Sequence, residues 1–234
     1  MKFAGVKFEE IKKLHQKKFR EEFGCFLLEG EHLVQELQKA MAQDARLRAS
    51  EIYLTREYAH WTSPVPIHVI NSRDMTRLSE TRSPQGIAAV VPLLVAPPPQ
   101  PGERAIYLHE IQDPGNLGTI LRTLAWFGKF RCLLSPNSVD VHNGKAVRAS
   151  MGAIFHVPVE TDVPIEALPA RFGRIASAPA YESRRSQPFM SLRPIILRDQ
   201  SPNQSSAYVV GRSRWHRKVV PRNSLGEINA RLAV

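Results

Sequence analysis

Pro97, Pro98, Pro99 and Pro101 put four prolines into five consecutive positions. Each fixes its own φ and removes a backbone donor, so the stretch can continue neither a helix nor a central strand. It favours an extended, semi-rigid connection. The run therefore divides the 234 residues into a segment at 1–95, a linker at 96–104 and a segment at 105–234. Each segment is long enough to close one small domain around its own core.

The first segment reads as α/β. Residues 8–19 predict a basic helix with apolar positions Phe8, Ile11, Leu14 and Phe19. Phe26, Leu27 and Leu28 form a short strand, and residues 30–41 a helix with Leu33, Val34 and Leu37 on one face. Strands follow at 51–55 and 66–70, then a short helix at 72–78 opened by Ser72 as its cap, then a β-prone run at 86–94. The second segment alternates more regularly. Its predicted strands are 105–109, 130–134, 174–178 and 207–210, and its helices 116–127, 143–149, 165–171 and 225–232. Such alternation implies a mostly parallel sheet with helices on both faces. Ligands of these sheets sit beyond the carboxyl ends of the strands, so the loops there are where chemistry is expected.

Charge narrows the partners. Lysine and arginine outnumber aspartate and glutamate 32 to 22, a formal net charge of +10. An excess of this size attracts polyanions, because each neutralised phosphate releases condensed counterions. Nucleic acid is the first polyanion expected, ahead of a merely solvated basic surface or an anionic membrane, with Lys12, Lys13, Lys17, Lys18 and Arg20 concentrating charge in the first predicted helix. Cys25 and Cys132 stand apart, each beside apolar residues, and read as buried free thiols of a reducing cytoplasm. No zinc site can be assembled, and no metal is expected. The longest apolar run, residues 86–96, is too short to span a bilayer and contains Pro92. A soluble cytoplasmic protein is the expectation. Neither a P-loop nor GxGxxG occurs.

The densest motif is DPGNLGTILRTLAWFG, residues 113–128. Asp113, Pro114, Gly115 and Asn116 all favour turns, and Asn116 can cap the helix that follows. Leu117, Ile120, Leu121, Leu124 and Phe127 lie on one stripe and are expected to face the sheet. Arg122 lies off that stripe. A guanidinium near a helix start suits an RNA phosphate, although a surface arginine is the commoner fate.

This segment resembles the first motif of the SpoU/TrmH RNA methyltransferases, close to DPxNxGxxxRxxxxFG. Asp113, Pro114, Asn116, Gly118, Arg122, Phe127 and Gly128 carry the match. The second motif is similar at Ser150, Gly152 and Pro158, small residues expected to shape a tight cofactor pocket. The third is looser. The run 207–211 supplies the strand and glycine, Val220-Pro221 takes the place of Ile-Pro, and Glu227-Ile228-Asn229 that of Ser-Leu-Asn. Arg212 and Ser213 stand where the family has Asn and Glu, the loop to Val220 is short and basic, and five residues follow Asn229. In the first segment, residues 26–37 and 78–91 resemble two signatures of the family's RNA substrate-binding domain, a fold similar to a small ribosomal protein. Glu29, Gly30, Pro84, Gln85 and Gly86 carry that match.

The resemblance implies a ribose 2′-O-methyltransferase using S-adenosylmethionine, with a trefoil knot around the cofactor. Arg122, Asn116 and Asn229 become the implied catalytic residues, and Ser177, Gly211, Val220 and Ile228 the cofactor contacts. Glu29 and Gly30 join the basic helix as implied RNA contacts. It further implies rRNA ahead of tRNA as substrate and a homodimer paired through the catalytic domain. The altered third motif leaves a second reading, a relative that binds RNA without methylating it.

Overall fold

The computed structural model describes residues 6–172, 174–177 and 206–211, the last two stretches as backbone. The predicted helix at 225–232 lies outside the described residues.

The first segment builds a four-stranded sheet in the order β1 (Cys25–Glu29), β4 (Ile87–Pro92), β2 (Glu51–Leu54), β3 (Ile67–Val69). β4 runs antiparallel to both neighbours, and β2 and β3 are parallel. Alternation sorts the side chains. Cys25, Leu27, Tyr53, Ala88 and Val90 face Ile11, Leu14, Met75 and Leu78. Phe26, Leu28, Ile52, Leu54, Ile87, Ala89 and Val91 face Leu33, Val34 and Leu37 of α3 (Glu31–Ala40).

The predicted helix at 8–19 is broken. α1 spans Phe8–Ile11, a 3-10 turn Lys12–His15, and α2 Lys17–Phe23, with Gln16 extended between them at φ −101° and ψ 133°. The break re-aims the chain, so that Arg20 turns inward instead of joining the basic surface. α4 (Ser72–Leu78) is capped by Asn71, not Ser72: its side-chain oxygen accepts from the Asp74 amide at 2.8 Å.

The second segment forms a five-stranded, wholly parallel sheet in the order β7 (Val159–Glu160), β6 (Phe130–Leu134), β5 (Arg104–His109), β9 (Ser206–Gly211), β8 (Arg174–Ser177). α5 (Pro114–Phe127) covers one face through Leu117, Leu121 and Leu124. α7 (Leu168–Arg171) and its surroundings cover Tyr107 and Leu133 on the other. The expected helical stripe ends early: Ile120 is half-buried and Phe127 is 52% exposed, beside Trp126 at 88%. No helix among the described residues is long and apolar enough to cross a membrane.

The two sheets share one core. Phe26, Leu28 and α3 belong to the same buried cluster as Ala146 and Val147 of α6 (Gly144–Ser150) and Leu117 and Leu121 of α5. Polar clamps seal the seam. The Arg20 guanidinium, 3% exposed, donates to Asp140 Oδ2 through Nη2 at 2.6 Å and Nε at 2.9 Å, and to the Leu14 carbonyl at 2.7 Å. His142 Nε2 accepts the Leu94 amide at 3.3 Å, and its ring packs on Phe26. The proline run is itself held. Buried Arg131 donates to the Pro97 carbonyl at 2.8 Å while paired with Glu103 and Glu160.

Burial alone would push the Asp140 carboxyl up. Hydrogen bonds from His142 and the Arg20 guanidinium outweigh it and hold the group well below the usual carboxylate range. A carboxyl depressed in the folded state adds stability above its unfolded pKa of about 3.9 and loses it as pH falls towards the folded value. Asp140→Ala strands the buried guanidinium and lowers unfolding free energy by about 3–5 kcal/mol near neutrality, read by urea melts. The gap to wild type should narrow as pH drops below about 4. A gap that stays constant in acid contradicts this account of the clamp.

Candidate active site

Strand order locates the cleft. β5 continues through α5 to β6 on one side, whereas β9 lies against its other side, so the direction of winding switches between β5 and β9. Crevices at such switch points, beyond the carboxyl ends, are where open α/β sheets hold ligands. The register pairs His109 with Gly211 and Val209 with Ser177. Gly211 and Ser177 thus lie on adjacent strands at the carboxyl edge, beside the loop that leaves β5. Val220, Ile228 and Asn229 lie outside the described residues.

The loop at 110–113 is tied down by the loop after β6. The Glu110 amide donates to Ser135 Oγ at 2.7 Å, the Val139 amide to the Ile111 carbonyl at 2.7 Å, and Gln112 Nε2 to the Asn137 carbonyl at 2.6 Å. Glu110 is held at φ +48°, a left-handed conformation costing a non-glycine residue on the order of 1 kcal/mol. Asp113, not Asn116, caps α5. Its Oδ1 accepts the Asn116 amide at 2.7 Å, and Pro114 follows as the first helical residue, where its missing N–H costs nothing.

Past the cap, Asn116, Thr119, Arg122, Thr123 and Trp126 form the solvent-facing side of α5. The threonine hydroxyls are engaged within the helix, on the carbonyls of Gly115 and Thr119. Arg122 has no hydrogen bond or ion pair among the described residues, and its donors face solvent. Six positions on, it lies about 120° around the helix from Asn116. No hydrogen bond joins the two among the described residues. Thiol chemistry is ruled out at Cys25 and Cys132, whose thiols burial pushes up to about 12.

Small residues of the first and second motifs let backbones and side chains approach closely. An added Cβ at Gly118 would lie 2.4 Å from Ala149 Cβ and 2.6 Å from its carbonyl carbon, so α5 and α6 cross there backbone to backbone. Ser150 is buried and donates to the Val147 carbonyl. Gly152, at φ +88°, leaves room for the side chain of Glu36 on α3, whose Cβ would be 2.7 Å from an added methyl. Gly118 thus serves the helix crossing and Gly152 the contact between domains.

The expected RNA contacts divide. Lys12 and Lys18 are exposed, whereas Lys13 pairs with Glu10 at 3.1 Å and Lys17 with Glu21 at 3.6 Å. Arg20, 3% exposed, is withdrawn into the seam, bound to Asp140 and the Leu14 carbonyl. Glu29 also turns inward: it accepts from the Ser79 hydroxyl and from the Glu80 amide at 3.1 Å, and faces Arg148 at 3.6 Å. Gly30, at φ +104°, leaves space that Gln85 Oε1 fills. Gln85 Oε1 in turn accepts the Glu31 amide at 3.0 Å. These signature residues lock the binding domain's loops. His15, Glu29 and Glu80 converge closely enough to hold a cation, but Arg148 already lies against both carboxylates.

A wholly parallel sheet with its cleft beside a capped, arginine-bearing helix defines the class. Residues 103–212 match the SpoU rRNA Methylase family and residues 6–89 match the MRM3-like substrate binding domain. The chain thus carries a SpoU methylase family domain with an MRM3-like substrate binding domain ahead of it. Over 156 residues it is 33% identical to the 23S rRNA (guanosine(2553)-2′-O)-methyltransferase RlmP of Bacillus subtilis, covering 65% of this chain and 60% of that protein. Over 160 residues it is 33% identical to mouse mitochondrial rRNA methyltransferase 3, covering 64% of this chain and 38% of that one. The match thus spans less than two thirds of either relative. Among solved structures, a TrmH-family chain from Porphyromonas gingivalis superposes with a TM-score of 0.66 at 25% identity, covering 90% of this chain and 81% of that one. The AdoMet-bound rRNA methyltransferase from Sinorhizobium meliloti shares the fold, with a TM-score of 0.66 at 20% identity over 97% of this chain and 84% of that one.

Gly118→Ala tests the helix crossing. The methyl gains about 1 kcal/mol of helix propensity but must displace backbone, an overpacking cost of about 1–3 kcal/mol. A net loss of stability is expected in thermal melts; an unchanged or raised melting temperature contradicts the close crossing.

Proposed function

We propose that this protein methylates a ribose 2′-hydroxyl of RNA, rRNA ahead of tRNA, using S-adenosylmethionine. The observation that carries the reading is Arg122: exposed and unpaired among the described residues, on the helix that the Asp113 cap aims from the switch point beside Gly211. The SpoU methylase domain and relatives named as rRNA 2′-O-methyltransferases support it.

The reaction forms a bond from the 2′-oxygen to the methyl carbon as the carbon–sulfur bond breaks, and the hydroxyl proton departs. S-adenosylmethionine, when bound, supplies a methyl already activated by the sulfonium charge. The chain's task is alignment, which supplies roughly 7–11 kcal/mol in well-oriented systems. A guanidinium, with pKa above about 12, does not accept the proton. Arg122 instead grips the adjacent phosphate and polarises the hydroxyl. Asn116, in the first turn of α5, orients the ribose, and Asn229 joins it there. Ser177 and Gly211, at the carboxyl edge, suit an adenosyl group resting on backbone, with Val220 and Ile228 completing the pocket. In this reading residues 1–95 hold RNA, 96–104 connect, and 105–234 form the knotted catalytic domain. Exposed Trp126 and Phe127, at the end of α5, support pairing of two such domains in a homodimer.

Arg122→Ala should lower methyl transfer at least about a hundredfold, the usual effect of losing one aligned electrostatic contact. RNA affinity should change little. Wild-type turnover in that variant removes Arg122 from the mechanism. Arg212 and Ser213, in place of the family's Asn and Glu, favour the second reading, an RNA binder without methylation. Calorimetric titration with S-adenosylmethionine separates the two, since the non-methylating binder gives no heat.

A further inference from the structure

Three contacts bring a loop of the first domain to the cleft of the second. Residues 79–81 hang from the Glu29 carboxylate, which accepts from the Ser79 hydroxyl and the Glu80 amide, while the Thr81 amide donates to Ser79 Oγ at 2.9 Å. Glu80 then crosses the seam. Its Oε2 lies 2.5 Å from where a Cβ on Gly144 would be, and 3.5 Å from Arg148 Nη2. The next residue on α6, Lys145, reaches to within 3.7 Å of Asp113, whose other oxygen caps α5 at Asn116. The loop at 79–81 thus abuts the first turn of α6, whose Lys145 lies against the cap of α5, the helix that carries Asn116 and Arg122.

Cations line this route. Lys145 is 63% exposed. Arg82, two residues past Glu80, is exposed and has no partner among the described residues. On the other side of Glu80, His15 Nδ1 stands 3.1 Å from Oε1. Side chains three apart on a 3-10 turn eclipse, so exposed Lys12 projects from the same side as His15. Stability does not account for Lys145. It sits in the first turn of α6, where the helix dipole disfavours a cation, and its ion pair with Asp113 is solvent-exposed and weak.

We propose that a single RNA strand enters along this seam, with Lys145 and Arg82 holding phosphates next to the target ribose and Lys12 one further out. The partner is recognised by its phosphodiester backbone, and the site of entry is built by both domains together. This rests on the reading of the protein as an RNA methyltransferase. It separates the lane from the α2 lysines, Lys17 and Lys18.

The test titrates a fluorescein-labelled, mixed-sequence oligoribonucleotide by anisotropy across a potassium chloride series. Each single-strand phosphate contact contributes about 0.7 to the slope of log affinity against log salt. The pair Arg82→Gln, Lys145→Gln should reduce that slope by about 1.4. Lys145→Arg should keep it, and Lys129→Gln, at the exposed amino edge of the second sheet, should leave it near wild type. In methyl-transfer assays, the lane pair should raise KM for RNA by about tenfold or more and lower kcat less. An unchanged slope in a lane pair with wild-type melting temperature overturns the lane, as does an equal loss in Lys129→Gln. Should no methyl transfer occur with any variant while the lane slope still falls, the enzymatic reading fails and the lane stands.

Discussion

The crossing of α5 and α6 at Gly118 is the contact on which the rest of the arrangement turns. A side chain there would collide with Ala149 and with backbone, so the helices approach closely only because position 118 carries none. That closeness fixes α6 against α5, and α6 is the element that touches everything else. Through Lys145 it reaches the α5 cap, through Arg148 the binding domain's carboxylates, and through the turn at Gly152 the flank of α3. One bare backbone position thus sets both where Arg122 projects and where the binding domain docks.

Docking is therefore closer to a shared core than to beads on a linker. Phe26 and Leu28 of the first sheet pack in the same cluster as Ala146, Val147 and Leu117 of the second segment. Such apolar burial is non-directional. The Arg20–Asp140 clamp and the His142–Leu94 bond supply direction, since each is satisfied in one orientation. For the proposed methyl transfer, whose chemistry is mostly alignment, a fixed spacing between the first domain and the cleft lowers the entropy of reaching the reactive geometry.

Much of this was legible in the sequence. Alternation and helical spacing located the described strands other than β7, and most helices, to within a few residues, because each element buries one regular face. The misreadings have identifiable causes. Asn116 and Asp113 can both cap, and what decides is Pro114, which belongs at the first helical position and therefore needs Asp113 before it. Arg20 looked like one more surface cation because its partner lies 120 residues away, beyond any local pattern. Glu29 and Gly30 carried a true resemblance, but their role in locking residues 79–85 depends on loops that only the folded sheet brings together. Likewise Lys145 sits in no local motif with Asp113; the α5–α6 crossing puts them side by side. Of the expected cofactor contacts, Ser177 and Gly211 lie at strand ends, because a parallel sheet gathers its carboxyl termini at one edge.

The central claim is that the cleft delivers a methyl group to a ribose oxygen. Incubating the protein with methyl-labelled S-adenosylmethionine and unmodified ribosomal RNA, then digesting to nucleosides for mass spectrometry, tests it most directly. The account predicts that the label appears on the sugar fragment of one nucleoside. Label on a base, or RNA that binds and is never labelled, would contradict it.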